Sequence, residues 1–226
     1  MIRIAIMHVP RASETIAQSL QSLNDTFKGE ILLAPDGNDF DVSAIIKQTG
    51  IKEIKRFDRV GCFKHYARTL AYLVEHSEDD DIIAVLPDDL IYLPFETAIT
   101  QGLKSDKVGY CAIYTPREMG RRNNWKFGGW EVVTGGFGTS YGGGYFFRAS
   151  TAKKIMAHEF FIDHLNNYEK NQQIDHAIPE CVHQMGLKQL WPVPSLSKHI
   201  GLTSTIGHTH TEAEEAYGWS EKKSKK

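Results

Sequence analysis

The chain has 226 residues, 41% of them hydrophobic and 24% charged, with a formal net charge of −2. That length fits one large domain with a short tail, and a charge so close to zero excludes a strong field toward nucleic acid or membrane. Cys62, Cys111 and Cys181 lie far apart without a Cys-x-x-Cys spacing, which excludes a zinc knuckle or disulfide framework and fits reduced thiols.

Ile2 to Val9 alternates like a first strand, and Met1 to Met7 is too short for the apolar region of a signal peptide. No apolar run approaches a membrane span, so a soluble cytoplasmic protein is expected. Ala12, Ile16, Leu20 and Leu23 have helical spacing, with Ser13 and Glu14 near the start. Glu30 to Ala34 reads as a second strand closed by the turn Pro35-Asp36-Gly37-Asn38. A short helix over 41–47 and an extended piece over 51–57 follow. Phe63, Ala67, Leu70 and Val74 mark one face of a helix over 60–76.

The run Ile82-Ile83-Ala84-Val85-Leu86 has the length and β-branching of a buried strand, and Pro87-Asp88-Asp89 leaves its carboxyl end. A helix over 94–103 and a strand over 108–114 complete the first half. Strands alternating with helices predict a mostly parallel, Rossmann-like α/β sheet with helices on both faces. Residues 115–144 change character, with nine glycines, Trp125, Trp130 and the pair Arg121-Arg122, and read as a functional loop with a short hairpin. A strand over 145–148, helices over 150–158 and 174–185, and a strand over 189–193 follow. A domain over 1–206 with a partly disordered tail over 207–226 is expected, and the basic run Lys222-Lys223-Ser224-Lys225-Lys226 reads as a solvated end.

Asp88 and Asp89 sit where ligands bind in open α/β sheets. Adjacent acids repel unless a cation or a donor-rich ligand lies between them, and a divalent ion shared with substrate phosphates satisfies both. The bland alternative is an acidic turn capping the next helix. Gly61 opens the preceding helix and lets backbone N–H groups approach an anion, with Lys64, His65 and Arg68 on adjacent turns to face a phosphate. Solvated cations and an incidental cap are the alternative. Trp125, Trp130, Tyr141 and Tyr145 suit sugar stacking or core packing. His208 and His210, two apart, are either a metal pair or exposed.

The Gly61-Cys62-x-x-His65 helix start, about twenty residues before a strand ending in acids, resembles the lipooligosaccharide and collagen galactosyltransferase family. More broadly it resembles GT-A-fold glycosyltransferases, over roughly residues 2–206. The chain departs from that family in having Lys64 before the His where Ser is usual, and Pro87 where the first acid of Glu-Asp-Asp is usual, which removes a contact to the donor ribose. Gly142-Gly143-Gly144 is similar to the family's small-residue loop, where a sugar lies against backbone. Trp191-Pro192-Val193-Pro194-Ser195-Leu196-Ser197-Lys198-His199-Ile200-Gly201 resembles the Pro-Ser-Leu-x-x-His-x-Gly segment of branching N-acetylglucosaminyltransferases.

The resemblance implies a metal-dependent hexosyltransferase using a nucleotide-diphosphate sugar, with UDP as the nucleotide, and an acceptor hydroxyl on a glycan, a protein or a hydroxylated DNA base. It implies Mn²⁺ or Mg²⁺ held by Asp89 and His199, with Mn²⁺ favoured by the mixed oxygen and nitrogen donors. Gly61, Lys64, His65, Arg68, Asp88, Gly143 and Gly144 would contact the donor. Asp175, at the start of a helix after the glycine loop, stands where inverting enzymes place their general base; the alternative is a helix N-terminal acid favoured by the macrodipole. His199 has its own alternative as an imidazole satisfied by a loop carbonyl. Two other classes fit acids at a strand end: a metal-dependent nucleotidyltransferase or phosphohydrolase, and a non-catalytic nucleotide-sugar-binding module.

Overall fold

In chain order the elements are β1 (Ile2–His8), α1 (Thr15–Thr26), β2 (Glu30–Pro35), α2 (Ser43–Thr49), β3 (Lys52–Glu53), α3 (Cys62–Glu75), β4 (Ile82–Pro87), β5 (Leu90–Tyr92), α4 (Glu96–Gly102), β6 (Val108–Ala112), α5 (Arg117–Arg122), β7 (Gly129–Val133), β8 (Tyr145–Arg148), α6 (Ala149–Met156), α7 (Glu159–Asn166), α8 (Ile174–Gln184), β9 (Lys188–Val193) and β10 (Ser197–His199). The computed structural model describes residues 1–9, 15–38, 41–54, 59–134, 144–167, 174–200 and 216–218.

Among the described residues an eight-stranded sheet runs in the order β3-β2-β1-β4-β8-β6-β9-β7. β3, β2, β1 and β4 are parallel, β8 is inserted antiparallel between β4 and β6, β9 is parallel to β6, and β7 is antiparallel at the edge. The period of two explains why β4 is apolar throughout. Ile83 and Val85 enter the core under α3, α6, α7 and α8, while Ile82, Ala84 and Leu86 enter the opposite core under α1 and α4. This is the GT-A-type, Rossmann-like arrangement of a mostly parallel sheet flanked by helices.

The long elements fall close to their expected places. α2 starts later than expected because the Asp41 carboxylate accepts from the Ser43 backbone N–H at 2.8 Å and so stands outside the helix. Val60 and His76 flank α3 rather than belonging to it, and residues 55–57 of the expected third strand lie outside the described set. His158, expected to end a helix, instead begins the next one, its Nδ1 accepting from the Phe160 N–H at 3.2 Å.

Residues 115–144 contain more structure than a loop with a hairpin. They hold α5 and β7, and β7 finds its partner in β9, far along the chain. Residues 216–218, beyond the expected boundary at 206, pack against the domain. Ala216 is buried and bridges Pro116, the Tyr217 N–H donates to the Thr115 carbonyl at 2.8 Å, and the Tyr217 hydroxyl donates to the Trp125 carbonyl at 2.9 Å. No helix among the described residues is long and apolar enough to cross a membrane.

Candidate functional site

β2 and β3 lie on one side of β1, and β4 lies on the other. Strand order therefore reverses between β1 and β4, and the crevice at their carboxyl ends is the place where such a sheet receives ligands. Four chemistry-bearing residues stand along this edge: His8 ends β1, Asp36 follows β2, and Asp88 and Asp89 follow β4. All four are buried, with Asp88 1% and Asp89 4% exposed.

The two adjacent carboxylates have separate partners. The His8 Nδ1–H donates to Asp88 Oδ2 at 2.7 Å, and His199 Nε2 lies 3.1 Å from Asp89 Oδ2. The second pair is assembled by a small two-stranded ribbon. β10 runs antiparallel to β5 with His199 opposite Leu90, and the Ile200 N–H donates to the Asp89 carbonyl at 2.8 Å. Imidazoles thus answer the repulsion that the bare sequence assigned to a cation. The pair still fits a metal. Two donors on neighbouring vertices of an octahedron with bonds of about 2.1 Å are about 3 Å apart, the separation found here. Among the described residues no group of three or more His, Cys, Asp or Glu is gathered around one point, so a cation at Asp89 and His199 would take its remaining ligands from substrate or water. Asp88, held by His8, is placed to orient this edge.

The α3 start has a stronger reason for glycine than openness alone. Gly61 adopts φ 83° and ψ 165°, a conformation essentially restricted to glycine. The segment before it wraps Asp36, whose Oδ1 accepts from the Val60 N–H at 3.1 Å. His65 is drawn into the same knot. It is buried, its Nε2–H donates to the Ala34 carbonyl at 2.8 Å, and Nδ1 stands 4.0 Å from Asp36 Oδ1. Burial pushes its pKa down, so the ring is neutral near pH 7. His65 braces the β2–α3 junction instead of presenting charge to a phosphate. Lys64 is half-buried and Arg68 exposed one turn later, so the positive charge at this helix start comes from them.

Gly144 and the loop aromatics need correction. Gly144 has φ +86°, and a Cβ there would stand 2.4 Å from Leu86 Cδ2. The space is filled by the β4 leucine and not left for a sugar. Gly144→Ala should cost on the order of 2 kcal/mol of stability, from left-handed backbone and overpacking together, read as a lowered denaturation midpoint in urea. Tyr145 is a core residue, tilted against Tyr110 at a centroid distance of 4.6 Å. Trp125 lies against buried Trp191 at 6.4 Å, and Trp130 packs on the opposite core. Tyr141, Gly142, Gly143, Gly201, His208, His210 and the terminal lysines lie outside the described residues.

Asp175 opens α8 on the face covered by α3 and α7. The residue is half-buried overall, and Oδ1 accepts from the Tyr145 hydroxyl at 3.3 Å. Burial pushes its pKa up to about 7, while the tyrosine hydrogen bond pulls the other way. A carboxyl balanced near neutrality suits a group that takes and returns a proton. Sequence reasoning missed His8 and Asp36. Their signal was position, because His8 ends an apolar strand and Asp36 directly follows one, as Asp88 does.

No protein-family model matches the chain, and no curated protein sequence is significantly similar to it. Solved structures share its fold. A nucleotidyl transferase from Methanothermobacter superposes with a TM-score of 0.55 at 10% identity, over 85% of this chain and 87% of that one. A 4-diphosphocytidyl-2C-methyl-D-erythritol synthase gives 0.51 at 10% identity, over 90% and 93%. Glucosyl-3-phosphoglycerate synthase from Mycobacterium tuberculosis, solved with Mn²⁺, UDP and glucosyl-3-phosphoglycerate, gives 0.43 at 14% identity over 66% of this chain. This chain spans 56% of that enzyme's length. At 10% identity the likeness to the first two is one of fold.

Proposed function

We propose that the chain is a metal-dependent glycosyltransferase that moves a sugar from a nucleotide-diphosphate sugar, with UDP as the nucleotide, to an acceptor hydroxyl with inversion. The observation that carries this reading is the Asp89–His199 pair at the β1/β4 switch, 3.1 Å apart and built by the β5–β10 ribbon. A divalent ion there, Mn²⁺ or Mg²⁺, supplies charge to offset the departing diphosphate. Lys64 and Arg68 attract the same diphosphate beside the Gly61 turn. Asp88, fixed by His8, shapes the donor side of the crevice. Asp175 takes the proton of the acceptor hydroxyl as the anomeric carbon is attacked. The acceptor is a glycan, a protein or a hydroxylated DNA base.

A metal-dependent nucleotidyltransferase is the second reading, because a nucleotidyl transferase and a 4-diphosphocytidyl-2C-methyl-D-erythritol synthase both superpose over most of the chain. Against it, the β1–α1 connection over 9–14 holds no glycine to let backbone N–H groups cradle a triphosphate. Calorimetric titration of UDP-glucose, UDP-galactose, UTP and CTP, with and without Mn²⁺, separates the readings. Metal-dependent UDP-sugar binding followed by sugar transfer or donor hydrolysis supports the first. Turnover of CTP or UTP with pyrophosphate release supports the second and removes the first.

His199→Ala tests the metal pair. It should raise the Mn²⁺ concentration needed for half-maximal donor binding by about 10- to 100-fold, the usual scale for disturbing a metal's surroundings. An unchanged Mn²⁺ titration would reduce His199 to a structural partner of Asp89.

A further inference from the structure

Asp175 is held by more than its helix. The Tyr145 hydroxyl, on a ring that is 1% exposed, donates to Oδ1 at 3.3 Å. That ring is fixed in turn. Tyr110 packs against it, and the Tyr110 hydroxyl donates to Gln189 Oε1 at 2.7 Å. The same Gln189 donates through Nε2 to the Pro179 carbonyl at 3.2 Å. Gln189 on β9 therefore ties the tyrosine layer of the sheet to α8, the helix that carries Asp175. Pro179 stands four residues after Asp175 and has no N–H to return to the Asp175 carbonyl, so the first turn of α8 lacks that restraint. Side-chain bonds from the sheet replace it.

We propose that Tyr145 is a positioning residue for Asp175, clamping Oδ1 so that the second carboxylate oxygen is kept for the acceptor proton. The proposal rests on the reading of Asp175 as the general base. A donor to a carboxylate favours its ionised form, so the clamp also lowers the pH at which the base becomes available. The other titratable groups around the carboxyl are Tyr66 from α3, Tyr110 behind Tyr145, and His176 and Glu180 on α8 itself, with His164 of α7 against His176. Tyr66 provides an internal control. It is equally buried and close enough to feel the Asp175 charge, yet its hydroxyl makes no hydrogen bond to it.

The test is a carboxyl titration of the full chain labelled with ¹³Cγ-aspartate, with the Asp175 signal identified by its loss in Asp175→Asn. Tyr145→Phe should raise the Asp175 midpoint by about one pH unit, the scale of one hydrogen bond to a charged group. Tyr66→Phe should leave it nearly unmoved. An unmoved midpoint in Tyr145→Phe, or equal shifts in both variants, overturns the clamp. Should Tyr145→Phe not fold, ¹³Cζ-tyrosine labelling of the unaltered chain decides. The Tyr145 signal should inflect at the Asp175 midpoint and lose that inflection in Asp175→Asn; a Tyr145 signal with no such inflection overturns the proposal. UDP-glucose hydrolysis with Mn²⁺ keeps the two claims apart. A shifted carboxyl midpoint with an unshifted rate profile leaves the clamp standing and removes Asp175 as the base.

Discussion

Asp89→Ala should abolish metal-dependent donor binding and turnover while leaving the fold nearly intact. Asp89 follows β4 at the reversal of strand order, and its carboxylate is the oxygen half of the pair completed by His199. Its side chain belongs to the β4 turn, while the β5–β10 ribbon beside it is held by backbone bonds such as Ile200 N–H to Asp89 carbonyl, which alanine retains. Removing one of two protein ligands leaves too little to hold a cation against water. Calorimetry with Mn²⁺ and UDP-glucose should show no metal-dependent heat, with a circular dichroism spectrum like that of the unaltered protein. A variant retaining more than about a tenth of the turnover at saturating Mn²⁺ would place the metal elsewhere.

Asp175→Asn should reduce kcat by about 10²–10⁴, the contribution of a positioned base, with donor affinity little changed. Asparagine keeps the shape and can still accept from Tyr145, so the loss is that of the basic oxygen. The direction of the pH effect follows from burial. The ordinary carboxyl value of 3.8 is raised to about 7 in the folded chain. Rate should rise with pH through about 7 and level off above it. Stability should move oppositely. Between about pH 4 and 7 the folded state holds a proton that the unfolded state has released, so stability falls as pH rises and the cost is complete above 7. Asp175→Asn removes that cost. It should be more stable than the unaltered chain at pH 8, on the order of 2 kcal/mol after allowing for relaxation around the half-buried residue, and close to it near pH 4. Urea unfolding at the two pH values checks this. Product anomeric configuration by NMR checks inversion, and retention would give Asp175 another role.

Long periodic elements were legible in the sequence, and short ones paired over distance were not. α3 and β4 carry enough apolar residues for their periods to show. β5 and β10 have three residues each and no period, and their meeting depends on how the whole chain closes. β7 was concealed for the same reason, since its partner β9 lies beyond β8 and three helices. In the site, Asp88 and Asp89 stood out as a pair, whereas His8 and Asp36 are single residues after strands and form no motif. Gly144 was legible as a constrained position but its cause was not. A missing side chain looks the same in sequence whether the space serves a ligand or, as here, a leucine from the neighbouring strand. His65 was misread because a histidine at a helix start carries no mark of burial.

The β5–β10 ribbon has a consequence for the order of events at the ribosome. Asp88 and Asp89 emerge about 110 residues before His199, so a chain in mid-synthesis presents two neighbouring acids without the second of their imidazoles. His8 has by then been made and can quiet Asp88, but Asp89 must wait for β10. Nascent chains therefore hold a half-made crevice while those residues are added. The Asp89–His199 pair forms late and at once, when β10 zips onto β5 and brings its histidine to the edge.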